Sequence, residues 1–228
     1  KQEVDLVFNY GTFSFATPGF YLKFIRGQLD YFLSVSYFKN FYREYKREKR
    51  AIIEQKLQLS PGQAQRIYRF LVRNSMPENR YYRYNFFFDN CATRIRDIPA
   101  QCLEGVEFGD EKAAVEKTYR DLLDEYLKGR RWGQFGINIV LGRLTDKPAD
   151  AQAAAFLPDY LYQLFAQGKI KGKALVGETH ILYEPETPLS IENPWLTPDK
   201  LLWGVFVLFV MLTLCEYKKK TYFRLPDA

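Results

Sequence analysis

The sequence predicts an α+β domain that ends in a C-terminal membrane helix, and three patterns support this prediction. Alternating apolar residues near the start of the chain indicate strands. Capped segments with helical spacing in its middle indicate helices. A run without charged residues, Leu201–Cys215, lies close to the C-terminus. Because 228 residues can bury a substantial core, we expect a folded domain.

The first predicted elements are strands. Alternating apolar side chains predict a half-buried strand over residues 4–11 that ends at Gly11, and the alternation continues over residues 12–16. We expect residues 20–33 to form a short helix that leads into a strand over residues 31–37. Between Asn40 and Leu57 charges crowd together, and either a helix or an exposed strand with a solvated charged face fits the pattern.

Helices are predicted next. The segment that starts at Ser60 is typical of a helix start, because Ser60 can cap, Pro61 suits the first turn and Gln63 can reach back to the cap. This helix is expected to end near residues 74–77. Further helices are expected over Glu111–Lys128 and over Ala149–Ala166, the latter closed by Gly168. Residues 174–183 indicate one long strand or a strand pair, and the segment 184–200 is predicted to be a linker.

The C-terminal apolar run has the features of a membrane span. Leu201–Cys215 has fifteen residues without a charge, whereas a full span needs about twenty apolar residues. Aromatic and lysine anchors at the two ends favour a transmembrane helix over residues 201–217. The basic segment 218–228 then lies in the cytoplasm, and residues 1–183 form a domain on the outer side of the membrane. The chain starts without a cap or turn, so we expect this domain to be incomplete at its N-terminus.

The composition narrows the functional classes. The net charge of +6 accompanies no nucleic-acid-binding module, so we expect no nucleic-acid partner and a better match to anionic lipid headgroups. Three cysteines and one histidine lack metal-ligand spacing, which predicts neither a zinc site nor a disulfide framework. A Cys91–Cys102 bridge stays open for an oxidising compartment. Aromatic residues make up 17% of the chain, a density that suits a core, an acyl-chain groove or a membrane interface.

Cys91 is the candidate nucleophile. The residues after it have helical character, so its thiol lies where unpaired backbone N–H groups and the helix dipole favour a thiolate. Asp89 or Asn90 can cap this helix, and Arg94 and Arg96 add positive potential. The ordinary alternative for a free cysteine is a small buried hydrophobe.

A cysteine nucleophile needs a base, normally an imidazole within hydrogen-bond reach. His180 is the only histidine of the sequence, and its ordinary interpretation is a surface or strand-edge residue. The residues alone leave the base unassigned.

Four segments carry a family resemblance: residues 5–13 (DLVFNYGTF), 21–27 (YLKFIRG), 77–97 (PENRYYRYNFFFDNCATRIRD) and 156–161 (FLPDYL). Together they resemble the bacterial family of the lipoprotein N-acyltransferase Lnb, formerly catalogued as a domain of unknown function. The resemblance covers nearly the whole chain, and residues 79–97 are its most specific part.

The resemblance implies a permuted papain-like fold of the thiol hydrolase and acyltransferase type, with helical additions. It implies a thiol-dependent transacylase of the bacterial inner membrane with residues 1–183 as its periplasmic catalytic domain, without metal or cofactor. Cys91 matches the nucleophile, while Asn90 and Tyr84 are candidate oxyanion donors and Arg94 is a candidate supporting residue. The family's histidine precedes the segment that starts here, so the general base is expected upstream of Lys1.

We therefore expect a lipoprotein N-acyltransferase. It would move a fatty acyl group from a phospholipid donor, through a Cys91 thioester, to the α-amine of a lipidated N-terminal cysteine on a lipoprotein acceptor. A cysteine amidopeptidase or phospholipase of the cell envelope is one alternative, and a non-catalytic envelope scaffold in which Cys91 is merely packed is another. The aromatic, membrane-tethered setting favours a lipid substrate.

Overall fold

The computed structural model describes residues 5–13, 18–19, 23, 28–108, 114–186 and 195–219. Within these ranges helices and strands are mixed along the chain, which confirms the predicted α+β class. Two compact units are present, the first made of Lys1–Tyr119 and Asp146–Leu189, the second of Arg120–Thr145 and Ser190–Ala228.

The bounds of the elements are as follows. The strands are β1 Leu6–Thr12, β2 Asp30–Tyr37, β3 Ile52–Leu57, β4 Tyr81–Arg83, β5 Val106–Glu107, β6 Ala114–Thr118, β7 Pro148–Asp150, β8 Lys169–Ile170, β9 Lys173–Ala174 and β10 Val176–Tyr183. The helices are α1 Phe38–Arg47, α2 Pro61–Asn74, α3 Cys91–Cys102, α4 Tyr119–Tyr126, α5 Arg131–Leu141, α6 Ala151–Ala154, α7 Pro158–Gln167 and α8 Pro198–Lys219.

A three-stranded antiparallel sheet of order β1-β2-β4 organises the part of the first unit that matters for Cys91. Its buried side chains, together with Ile98 of α3, form one apolar cluster against which α2 packs through Ile67, Phe70 and Leu71. We call this the sheet cluster, and its buried members are Tyr10, Leu29, Tyr31, Leu33, Tyr82 and Ile98. Cys91 is half-buried at its edge. A second cluster, which includes Phe108, Phe165 and Leu175, lies under α7 and the short strands β8 and β9.

The strand predictions agree with the described residues. The strand expected over residues 4–11 is β1, and the one expected over 31–37 is β2; residues 14–17, 20–22 and 24–27 lie outside the described part of the chain. The charged segment contains both predicted alternatives, a helix in its first part, where residues 38–47 form α1, and a strand in its last part, where residues 52–57 form β3. The two elements are separated by Lys49, whose positive φ of 53° ends the helix.

Helix α2 begins as the sequence predicts. The Ser60 hydroxyl accepts from the Gln63 backbone N–H, and the Gln63 side chain accepts from the Ser60 backbone N–H, with Pro61 in the first turn. The C-terminal end is tied to the sheet cluster, because Asn74 Nδ2 donates to the Tyr10 hydroxyl at 2.9 Å. The capping box therefore fixes one end of a helix whose other end holds β1 in place.

The prediction of one helix over Glu111–Lys128 is wrong in its first half. Residues 114–118 form β6, which pairs antiparallel with β7, and the helix begins only at Tyr119. Glu116 has a positive φ of 54°, which an α-helix cannot accommodate. Pairing with a strand about thirty residues away decides the conformation here, and a local pattern does not record such pairing.

The prediction of one helix over Ala149–Ala166 is also wrong, because the segment contains β7, α6 and α7. Pro158 is the cause of the break between the two helices. A proline holds the residue before it in extended backbone, as Leu157 is here with ψ of 138°, and then suits the first turn of a new helix. The predicted end of the segment is correct, since Gly168 is the C-cap of α7.

Helix α8 provides the apolar C-terminal helix that the sequence predicts. Within the described ranges, Pro198–Lys218 is the one helix long and apolar enough to cross a membrane, with a mean hydropathy of 1.7, and its residues beyond Pro198 are largely exposed. Residues 187–194 of the expected linker and residues 220–228 of the expected basic segment lie outside the description. In the second unit α5 contacts the start of α8, because Trp132 Nε1 donates to the Leu196 carbonyl at 2.8 Å.

Removing the cap of α2 is expected to destabilise the first unit. The Ser60→Ala variant loses the hydroxyl acceptor of the capping box, so its free energy of unfolding should fall by about 1 kcal/mol. Gln65→Ala, an exposed change in the same helix, is the matched control and should stay within about 0.5 kcal/mol of the wild type. Urea unfolding measures both. Equal losses in the two variants would contradict a role for the cap.

Candidate active site

Asn90 is the N-cap of helix α3 and places Cys91 at its first position. Its Oδ1 accepts from the Thr93 backbone N–H at 2.9 Å, and its own backbone N–H donates to the Thr93 hydroxyl at 2.8 Å. Its Nδ2 donates to the carbonyls of Phe86 and Phe156, each at 2.9 Å. The residue is only 5% exposed. Both amide hydrogens of Asn90 are therefore used inside the protein, and the side chain acts here as a cap and a brace.

The loop before α3 is closed on itself. Asn85 and Asp89 exchange two backbone hydrogen bonds of 3.0 Å, and Asn85 Oδ1 accepts from the N–H groups of Phe87 and Phe88. Phe87, which is 3% exposed, packs its ring against Phe156 at 5.2 Å. This loop is held from both sides, so it delivers Asn90 and Cys91 in a defined position.

Gly11, near the end of β1, lies directly against Cys91. A Cβ placed on Gly11 would stand 3.1 Å from Cys91 Cβ and 3.7 Å from its Sγ. The φ of Gly11 is +105°, a conformation that side-chain-bearing residues rarely adopt. Two independent reasons thus require glycine at this position, and the absent side chain lets β1 approach Cys91 closely.

Three tyrosines surround the same site, of which Tyr31 and Tyr82 are buried and Tyr84 is half-buried. Tyr31 stacks on Tyr84 with ring centroids 4.1 Å apart, and Tyr82 joins them through a contact with Tyr31. Burial, followed by the electrostatic influence of Cys91, raises the pKa of Tyr31 to about 12 and also raises the pKa of Tyr82. Burial raises the pKa of Tyr84 as well, with smaller influences from Tyr31 and Cys91. All three therefore stay protonated phenols near neutral pH.

The thiol of Cys91 is harder to ionise than the sequence predicts. Burial raises the pKa of Cys91 above its ordinary value, while hydrogen bonds from the Ala92 and Cys91 backbone N–H groups lower it by less. The helix start thus has the expected effect on the thiolate. Desolvation outweighs that effect, so the pKa of Cys91 is raised on balance.

Arg94 and Arg96 do not present free positive charge to Cys91. Arg94 Nη2 donates to Asp89 Oδ2 at 2.7 Å in a two-point ion pair, and its guanidinium lies 4.4 Å from the centre of the Tyr82 ring. Arg96 pairs with Asp97. The positive potential expected from these arginines is therefore offset by neighbouring carboxylates. Arg94 instead fixes the Asp89 end of the loop over the tyrosines.

His180 lies in another sheet. It is exposed on β10, which pairs with β3, and its Nε2 is 3.3 Å from Glu178 Oε2. Across the sheet it faces Glu54. The sequence predicts no catalytic role for His180, and its exposed position on β10 gives no reason to assign one. Among the described residues, no three His, Cys, Asp or Glu side chains come together as a metal site.

Sequence reasoning missed Gly11, Tyr31 and Tyr82 as neighbours of the site. The one signal for Gly11 was its position at the end of an alternating strand, which a simple turn also explains. The tyrosines gave no signal beyond aromatic density, because their convergence depends on the pairing of β2 with β4.

Comparison with known proteins gives one match. The model of the family described as the Lnb N-terminal periplasmic domain matches residues 1–126, more than half of the chain, including Gly11 and Cys91. No curated protein and no solved structure matches the chain. A periplasmic domain with one apolar helix after it fits a protein of the inner membrane whose domain lies in the periplasm.

The contact between Gly11 and Cys91 predicts a costly substitution. Gly11→Ala combines backbone strain with a methyl group pushed against Cys91, so it should lower the free energy of unfolding by about 3 kcal/mol. Gly172→Ala is the matched control, because Gly172 also has positive φ but no atom within 4 Å of an added Cβ; it should cost about 1 kcal/mol. Chemical unfolding measures both. A Gly11 variant no less stable than the Gly172 variant would contradict the close contact.

The raised pKa of Cys91 predicts slow alkylation at neutral pH. In a Cys102→Ala, Cys215→Ala background, the rate of reaction with iodoacetamide should rise with pH to a midpoint above that of the same chain unfolded in urea, because burial disfavours the reactive thiolate. Mass spectrometry of the Cys91 peptide follows the reaction. A midpoint below that of the unfolded chain would mean that an additional cationic group stabilises the thiolate.

Proposed function

Since the chain belongs to the Lnb family, we propose that it is a thiol-dependent lipoprotein N-acyltransferase in which Cys91 carries the acyl group. The observation that carries this proposal is the position of Cys91. It is the first residue of a firmly capped helix, its sulfur accepts from the Ala92 and Cys91 backbone N–H groups, and Gly11 packs directly against it.

The first half-reaction loads the enzyme. The Cys91 thiolate attacks the ester carbonyl of a phospholipid, and the tetrahedral intermediate collapses to an acyl thioester. The lysophospholipid leaves as its alcohol after taking up a proton. Backbone N–H groups at the start of α3 can hold the oxyanion, and the protonated Tyr84 phenol is the side-chain donor that the proposal retains.

The second half-reaction delivers the acyl group. The α-amine of the lipidated N-terminal cysteine of a lipoprotein attacks the thioester carbonyl, the amide bond forms, and the Cys91 thiolate is released. The amine loses a proton to the base, the released Cys91 thiolate takes it up because its pKa is raised, and the thiol returns it to the base before the next cycle. Both steps call for a general base. Asn90 and Arg94 act as positioning residues, because their polar groups are hydrogen-bonded to Phe86, Phe156 and Asp89.

The papain-like arrangement is part of the same proposal. A cysteine at the first turn of α3, with that helix packed against β1 of an antiparallel sheet, supports it. We further propose residues 1–183 as the catalytic domain, 184–200 as a linker, 201–217 as the membrane helix and 218–228 as a cytoplasmic segment. The apolar α8 supports membrane attachment, which would bring phospholipid and lipoprotein substrates to the same surface.

One observation favours a second candidate function. The raised pKa of Cys91 suits a packed, unreactive thiol, and a non-catalytic envelope scaffold would need nothing more. The scaffold and the enzyme differ in one measurable property, because only the enzyme forms a thioester.

An acyl-transfer assay with purified full-length protein, phospholipid vesicles and a diacylated lipopeptide separates these functions. The wild type should form a hydroxylamine-sensitive acyl-protein and the N-acylated peptide, and Cys91→Ser should reduce peptide formation at least about a hundredfold because the thioester cannot form. Cys102→Ala changes the other cysteine of the same helix and should keep activity within about twofold.

Two results would reject the acyltransferase. Free fatty acid without acylated peptide indicates a phospholipase. A folded wild type that never carries an acyl group favours the scaffold. Circular dichroism of each variant checks that it is folded.

A further inference from the structure

The second unit contains a groove at the start of the membrane helix. It lies between the segment that joins α4 to α5 and the first turns of α8, and its volume is about 700 Å³. Its walls include Lys128 and Arg131 from the joining segment and the start of α5, Phe135 and Ile139 from further along α5, and Leu202 from α8. We call it the α5–α8 groove.

The groove lies at a membrane boundary. Leu202 belongs to the first turns of the helix that is long and apolar enough to cross a membrane, and the residues of that helix beyond Pro198 are largely exposed. Trp203 is 67% exposed beside the groove, as expected of an interfacial anchor. Lysine residues lie at the opposite end of the span. The groove therefore opens where headgroups of the non-cytoplasmic leaflet meet the protein.

The walls of the groove change in character along its length. Lys128 and Arg131 are exposed at the joining segment, whereas Ile139 is 64% exposed and Leu202 is 54% exposed on the apolar side. Cations beside exposed apolar surface suit a ligand with a phosphate next to a hydrocarbon chain.

Two carboxylates also line the groove, so its walls carry two positive and two negative groups. Asp199 is 3.4 Å from Arg131 Nη1, in an exposed pair that occupies one of five guanidinium donors. Asp124 accepts a hydrogen bond from Asn138 Nδ2. Arg131 therefore keeps guanidinium donors outside its pair with Asp199, and the structure records no carboxylate within ion-pair distance of Lys128 among the described residues.

We propose that the α5–α8 groove binds one glycerophospholipid, with its phosphate on Lys128 and Arg131 and its proximal acyl chain against Phe135, Ile139 and Leu202. The walls and position of the groove support this lipid site independently of Cys91. It also extends the proposed function, because a lipid held there is a source of the acyl donor.

Photolabelling of the full-length protein in vesicles tests the site. The vesicles contain phosphatidylethanolamine and phosphatidylglycerol with a trace of phosphatidylglycerol that carries a diazirine on its acyl chain. Mass spectrometry should locate the label on α5 near Phe135 and Ile139. The double variant Lys128→Gln, Arg131→Gln should reduce this labelling about tenfold, because two phosphate contacts are lost.

The matched control is Arg130→Gln, which removes an exposed charge of the same segment that does not line the groove. It should change labelling less than about twofold. Ile139→Ser should likewise reduce labelling, whereas Val140→Ser, at the next and also exposed position, should not. These changes affect exposed side chains, so circular dichroism should report an unchanged fold.

Three results would overturn the groove as a lipid site. Equal losses in Arg130→Gln and in the double variant would indicate diffuse attraction to the membrane. Label confined to the membrane-spanning part of α8 would indicate bulk lipid contact. Label on α5 that is lost as the protein concentration in the vesicles rises would indicate that a second copy covers the groove.

Labelling of Cys91→Ala separates this inference from the proposed function. Normal groove labelling with no acyl transfer in any variant would reject the enzyme and keep the lipid site. Acyl transfer without groove labelling would reject the lipid site and keep the enzyme.

Discussion

The candidate site depends on the hydrogen bonds that the Asn90 side chain makes. One amide group joins three separate parts of the first unit: the first turn of α3 through Thr93, the preceding loop through Phe86, and the segment before α7 through Phe156. Each bond pairs a backbone group of the first unit, and a buried backbone group costs about 1–3 kcal/mol when left unpaired. No other residue type of this size supplies one acceptor and two donors at these positions. The place of Cys91 follows directly, since it is the next residue in the chain.

The environment that fixes Cys91 also opposes its ionisation. A helix start favours a thiolate, but the aromatic packing that holds this helix start removes water from around the sulfur, and burial is the larger effect on the pKa of Cys91. The same burial keeps Tyr31, Tyr82 and Tyr84 protonated. The site as described is therefore well ordered and neutral, and its chemistry depends on a base that removes the thiol proton.

What the sequence could predict separates cleanly into local and non-local features. The capping boxes at Ser60 and at Asn90 depend only on residues three positions apart, and both are present. The apolar C-terminal helix depends on composition alone and is also present. The prediction of a helix over Glu111–Lys128 is wrong because β6 pairs with β7. The sequence pattern does not indicate the contact between Gly11 and Cys91, because these residues are eighty positions apart. Contacts of this kind depend on the packed fold and produce no periodic pattern in the sequence.

Burial of Cys91 has a different meaning at each stage of the proposed cycle. It disfavours the charged thiolate, which slows the first attack and makes a base necessary. It does not disfavour the acyl thioester, which is neutral and apolar, so the loaded state suits this environment better than the free thiolate does. A transacylase must also keep its thioester away from water until the amine arrives, and a site closed by Gly11 and the tyrosines limits that side reaction. The raised pKa of Cys91, which by itself favours a structural cysteine, is thus also what a long-lived thioester would require.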